Sequence, residues 1–206
     1  RSPKTRDAAK ARQQLVNDTM RRNKMHAKFW DTSSFAGLCG RGWLKTTWDE
    51  RTGRPITRVV DPRKVFYDQS LAWDDGPRYI FEAVALTKAE FQERVEKGQY
   101  DKEVAKTVQA GKIPDWMVDS AGGESTHLND ASREVFSWII VYEFYDLAGK
   151  KFFHLVEGAE NPLFQQDSLP YRYVDNPFSL LVFVSNLKDS GGVSDVQLIE
   201  KHTERL

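Results

Sequence analysis

The sequence predicts an α+β fold, with N-terminal helices packed on antiparallel strands and hairpins and a truncated helix at the end. Three observations predict it. Apolar residues recur at helical spacing through the first forty positions, strict alternation marks later runs, and turn residues separate those runs at hairpin distance. The 206 residues suffice for one sizeable domain or two small ones. The reading divides them into an N-terminal helical segment (1–42), a strand-hairpin segment with helices (43–110), a polar loop (111–134), an antiparallel hairpin region (135–193) and the start of a last helix (194–206).

Ser2 to about Asn23 reads as a helix. Pro3 suits its first turn, and Ala8, Ala11, Leu15 and Thr19 recur along one side. Arg1 to Lys24 hold eight basic residues against two acidic ones. Such a surface either faces a polyanion such as DNA phosphate or is simply solvated. Met25 to Leu38 forms a second helix, with Phe29, Ser33, Ala36 and Cys39 near one face and Trp30 beside them. Cys39 is expected there as a buried, inert thiol. Gly37, Gly40 and Gly42 end the helix. Lys45 stands where a nucleotide-binding fingerprint needs its third glycine, and a helix precedes the glycines where that motif needs a strand. A helix C-cap explains them.

Trp43–Trp48 and Ile56–Val60 read as a hairpin around Asp49–Pro55. The stretch that organises the chain follows, Val60-Asp61-Pro62-Arg63-Lys64-Val65-Phe66-Tyr67-Asp68. Pro62 holds Asp61 out of the helical region, and Val65–Tyr67 makes a short strand. Asp74-Asp75-Gly76-Pro77 turns the chain into a second strand, Arg78–Val84. Thr87 and Glu90 form a capping box on a helix with Phe91 and Val95 inward, ended by Gly98. Asp101–Ala110 is a further short helix. Gly111 to Arg133 is a polar surface loop, locally pinned by Trp116 and Met117.

Val135–Asp146 gives the strongest strand pattern. Phe136, Trp138, Ile140, Tyr142 and Phe144 point one way; Val135, Ser137, Ile139, Val141 and Glu143 point the other. Lys151–Glu157 returns as its hairpin partner. Leu180–Val184 is expected as a fully buried strand from its unbroken apolar character. Ser194 with Gln197 caps the last helix.

Composition excludes several classes. Acidic and basic residues balance at thirty each, so no global field draws the whole molecule to nucleic acid or membrane. One cysteine forbids an internal disulfide and makes a reducing compartment the default expectation. The longest near-continuous apolar run, about Trp138 to Tyr142, is far too short for a bilayer. There is no signal-peptide pattern, and the start at Arg1 with an end inside a helix reads as an excerpt of a longer polypeptide.

Candidate chemistry is sparse. His26, His127, His154 and His202 are scattered without metal-ligand spacing, and His154 reads as a partly buried strand residue. The acidic group Asp61, Asp68, Asp74, Asp75 and Glu82 is the best metal candidate. Asp68 and Glu82 on adjacent strands would hold Mg²⁺ in a metal-dependent nuclease. The lysine such sites carry two residues beyond the second acid is replaced by Val84. Aspartates also favour turns for their own backbone hydrogen bonding. The sequence therefore assigns no catalytic residue, no metal ligand and no cofactor. An aromatic module of carbohydrate-binding type, using exposed Trp or Tyr faces, is a further alternative.

The order of elements resembles the wing region of tailed-bacteriophage portal proteins. The resemblance is carried by the helix ending at Gly40-Arg41-Gly42, strand Trp43–Trp48, Val59–Asp68, Arg78-Tyr79-Ile80, the capped helix at Thr87, Val141–Tyr145 and Gly192-Val193-Ser194-Asp195. His202 departs from the glutamine frequent in that family's late helix, and Gly111–Arg133 has no counterpart. The resemblance implies a portal wing-like fold and a non-enzymatic subunit of a homo-oligomeric, dodecameric ring at the capsid vertex of a virion. That ring would pass double-stranded DNA without sequence specificity during packaging and ejection. It would dock terminase, capsid and scaffold proteins, and head-completion or tail-adaptor proteins. The last helix would lead towards a stem.

Overall fold

A computed structural model describes residues 3–70, 76–111, 138–171, 176–184, 192–197 and 200. In chain order the elements are helices α1 (Pro3–Arg22) and α2 (Met25–Cys39), strands β1 (Gly42–Asp49) and β2 (Arg54–Val60), and a 3-10 turn at Pro62–Lys64. There follow β3 (Val65–Tyr67), β4 (Tyr79–Thr87), helices α3 (Lys88–Glu96) and α4 (Lys102–Thr107), then β5 (Trp138–Asp146), β6 (Lys151–Val156), β7 (Phe164–Gln166) and β8 (Phe178–Leu181). The fold is α+β, with every pairing between these strands antiparallel. The chain forms two compact units, residues 1–62 with 177–206, and residues 63–176.

In the first unit the strand order is β2-β1-β8. The hairpin sets Trp43 opposite Val60 and Thr46 opposite Thr57. Trp43, Leu44, Lys45 and Val60 are buried. Helix α2 lies on the sheet through Thr32 and Ala36, its two buried residues. This corrects the expected face: Cys39 is exposed, and so are Phe29 and Trp30. The reason is distance. A Cβ on Gly42 would fall on the carbonyl oxygen of Thr32 and 2.7 Å from its Cγ2, so only small side chains fit between α2 and the strand.

Strand β2 is an edge, and side chains from the helices satisfy its open backbone. Asn23 accepts from the Thr57 N–H (2.9 Å) and donates to the Pro55 carbonyl (2.9 Å). Lys28 donates to the Thr57 carbonyl. Asn23 thus does what a neighbouring strand would do. It sits at the break between α1 and α2, where Lys24 takes a left-handed conformation (φ 50°).

Strand β8 also differs from expectation. It spans Phe178–Leu181 at the other edge of the sheet, and Phe183 and Val184 beyond it are exposed. An unbroken apolar run does not distinguish a central strand from an edge strand followed by a surface turn.

In the second unit the order is β3-β4-β5-β6-β7. Alternation holds as read: Ile139, Val141 and Tyr145 of β5 are buried, as are Ile80, Glu82 and Leu86 of β4. Register sets Glu82 opposite Glu143, and Glu143 opposite His154. At one end Phe91 of α3, Tyr100 and Leu163 close a core with Leu86, Ile139 and Val141. The Thr87–Glu90 capping box is formed in both directions, with the Glu90 N–H donating to Thr87 Oγ1 and the Thr87 N–H to the Glu90 carboxylate. Asp101 caps the short α4, and Gly98 ends the preceding segment with φ 73°. The short strand β7 has no counterpart in the sequence reading. Val135, Phe136, Ser137, Trp116 and Met117 lie outside the described residues, as does most of the polar loop.

The late glycines explain a second close approach. Gly40 is left-handed (φ 78°), and a Cβ there would fall on the carbonyl oxygen of Gly192, 2.9 Å from its carbon and 3.1 Å from the Ser194 nitrogen. Gly40→Ala is expected to lower unfolding stability by about 2–4 kcal/mol, from left-handed strain plus overpacking. Gly53→Ala, with φ 61° but open space around it, is expected to cost only about 1–2 kcal/mol. Urea denaturation of the two variants checks the difference.

Candidate functional site

The organising stretch ends in a tightly bonded turn. Asp68 is buried at the end of β3, and its N–H donates to the Tyr79 carbonyl (3.1 Å). Its Oδ1 accepts from the Ser70 N–H (3.0 Å) and hydroxyl (2.6 Å). Its Oδ2 accepts from Arg78 Nε (2.5 Å), and Arg78 Nη2 also reaches Ser70 Oγ (3.0 Å). The Arg78 guanidinium and then the Ser70 hydroxyl hold this carboxyl far below the usual range. Both oxygens are therefore committed to the turn.

Glu82 does not converge on Asp68. It lies opposite Val65, while Asp68 bonds at Tyr79, three residues or roughly 10 Å further along β4. Asp61 and Glu82 are buried and each is engaged within the chain. Among the described residues, no group of three His, Cys, Asp or Glu side chains is placed to hold a metal ion. Asp74, Asp75, His127 and His202 lie outside the described residues. His26 is exposed on α2. His154 sits among aromatic rings, with Phe152 at 4.9 Å, Tyr100 at 5.5 Å and Phe164 at 5.5 Å between centroids. Burial raises the pKa of both Tyr100 and Tyr145 above the ordinary tyrosine value.

Three surfaces remain. The first is the outer face of the five-stranded sheet. Phe66 stacks on Phe81 (5.0 Å, 16°), Phe81 on Phe144 (5.6 Å, 20°) and Phe144 on Tyr79 (5.6 Å, 17°). Tyr142 meets Phe81 edge-on (5.9 Å, 84°). Near-parallel rings at these separations are offset stacks that overlap in part. Phe66 and Tyr79 remain exposed on this face. The sequence identified the alternation but not this use of it.

The second surface is a groove of about 770 Å³ beside α3 and α4, floored by Phe91, Val95, Val108 and Ile139 and rimmed by Lys88, Lys102, Lys106 and Glu96. Short α4 leaves it open, and no sequence signal marks it. The third is the helical arm. Residues 6–17 of α1 are exposed throughout, including Leu15 (68%) and Val16 (55%). On α2, Trp30 (72%) and Leu38 are exposed beside Phe183. Of the tryptophans, Trp43 is fully buried while Trp30 and Trp48 are exposed. No helix among the described residues is long and apolar enough to cross a membrane.

No protein-family model and no curated protein matches this chain.

The Asp68 turn makes a pH prediction. A carboxyl depressed in the folded state stabilises above its unfolded value, about 3.9, and that contribution is lost as pH falls towards the folded value. Asp68→Asn is expected to melt at lower temperature than wild type at pH 7. The gap should narrow as pH falls below about 4. Thermal melts followed by near-UV circular dichroism at pH 7 and pH 3 read both effects.

Proposed function

We propose that this chain is the wing part of a structural, non-enzymatic subunit of the portal ring of a tailed bacteriophage, a homo-oligomer at the capsid vertex of the virion. In this reading the ring is the conduit for double-stranded DNA during packaging and ejection. Terminase, scaffold and capsid proteins, and head-completion or tail-adaptor proteins dock on it.

One observation carries the reading. Two of the stretches that carry the resemblance, Gly40-Arg41-Gly42 and Gly192-Val193-Ser194-Asp195, lie some 150 residues apart in sequence. They meet backbone to backbone at Gly40 and Gly192. Gly37 joins them, since a Cβ there would lie 3.3 Å from Asp195 Oδ2. The Ser194–Gln197 capping box starts the last helix from that point, with the Gln197 N–H donating to Ser194 Oγ (3.1 Å). A close-packed junction from which a helix departs is what a wing that feeds a stem requires.

Two further features support it. The Asp68 carboxylate accepts three hydrogen bonds within its turn, which supports a structural role for it over that of a metal ligand. The exposed aromatic residues Phe66 and Tyr79 and the exposed Leu15 and Val16 of α1 suit contact with protein neighbours.

The full-length protein, purified without other virion components, is expected to form rings with a central channel in negative stain and to sediment as a large oligomer. A monodisperse monomer across micromolar concentrations overturns the reading.

A further inference from the structure

The groove beside α3 and α4 has an apolar floor and a basic rim. Lys88, Phe91, Gln92, Val95 and Glu96 line it from α3, at the spacing that places them on one face of that helix. Lys102, Ala105 and Lys106 line it from α4 in the same way. Phe91 and Ile139 in the floor are buried in the core at this end of the sheet. Val95, Ala105 and Val108 pack on that core but are only partly buried, and their free sides form the groove.

The rim says what charge an occupant carries. Most acids of the two helices are already engaged: Glu90 in the capping box, Glu93 with Lys97 (2.5 Å) and Glu103 with Lys106 (2.7 Å). Among the described residues Lys88 and Lys102 make no ion pair, and Glu96 is the one acid lining the groove. A duplex would meet these lysines and leave the floor bare. A wholly apolar cover would take Lys88 and Lys102 out of water without a partner, which is costly. A surface with apolar anchors and carboxylates beside them meets both. The groove is open to solvent on one side, whereas a small-molecule site encloses most of its ligand. Its wall α3 has nine residues, roughly 13 Å, the length of about two and a half turns of a second helix laid alongside.

We propose that this groove binds an acidic amphipathic helix of a partner protein. Apolar anchors at i, i+4 and i+7 of that helix lie on Val95, Val108 and the floor between them, and its Asp or Glu side chains lie beside Lys88 and Lys102. Every lining residue belongs to the second unit, so the contact depends neither on the first unit nor on a ring.

The probe is a fluorescent helical peptide with leucines at i, i+4 and i+7 and glutamates beside them. A second peptide carries lysine in place of each glutamate. Anisotropy titrations against the full-length protein are expected to show the acidic peptide binding about tenfold or more tightly than the basic one. The double variant Lys88→Glu, Lys102→Glu is expected to reverse that order. Both residues are exposed, so its thermal melt should match wild type. With a benzophenone side chain at position 92, where the native glutamine is exposed in the groove, irradiation is expected to attach the acidic peptide. Equal binding of the two peptides, binding of neither, or an order that the double variant leaves unchanged overturns the inference. So does attachment that stays on residues 112–137 of the same chain, or on a second copy, when the acidic peptide is in excess, because the groove then has another occupant.

Discussion

The first unit depends on backbone approaches that only glycine allows. Gly42 lies against the Thr32 carbonyl, and Gly40 against Gly192. At each place the nearest atoms are backbone, which cannot rotate away as a flexible side chain would. These approaches dictate what else fits. The face of α2 over the sheet is restricted to Thr32 and Ala36, so the large residues Phe29, Trp30 and Leu38 are displaced to the surface. The start of the last helix is fixed to the end of α2, and Ser194 caps it there. A close junction thus produces an exposed apolar surface as its geometric consequence.

The second unit follows a different rule. Its sheet has one face that excludes water through aliphatic and aromatic side chains, and another whose aromatic rings stack on each other. Phe66 and Tyr79 remain exposed while stacking on Phe81 and Phe144. The Asp68–Ser70–Arg78 turn fixes where β3 meets β4 and so holds the end of this comb in register. The carboxylate that looked most like a ligand in the sequence is a structural acceptor.

Much of this was legible from local chemistry. The Thr87–Glu90 and Ser194–Gln197 boxes, the β1–β2 hairpin and the alternation in β5 are set by neighbours within a few residues, and the structure contains them. What escaped was non-local. Cys39 shares helical spacing with Ala36, but whether that side meets the sheet depends on the approach of Gly42, ten residues from Thr32 in sequence. Asn23 looked like a helix end, and its role at the edge of β2 depends on a strand more than thirty residues away. The apolar run Leu180–Val184 read as buried because composition carries no information on position within a sheet. The groove by α3 and α4 exists because Val108 turns extended after a six-residue helix, a length that no pattern announced.

The edges of the sheets limit how another chain can add to them. An open strand edge invites another strand, and proteins blunt such edges by covering them or keeping them short. Here β2 is covered by Asn23 and Lys28, while β3 and β7 span three residues each and β8 four. Strand addition would have little backbone to pair with. Side-chain surfaces are the other route to association, and those of greatest apolar exposure among the described residues lie on α1, α2 and the turn after β8. A helical arm also tolerates small changes of angle between neighbours better than a strand ladder, whose register shifts by whole residues. That tolerance would serve the ring proposed above, in which every copy makes the same contact and the last meets the first.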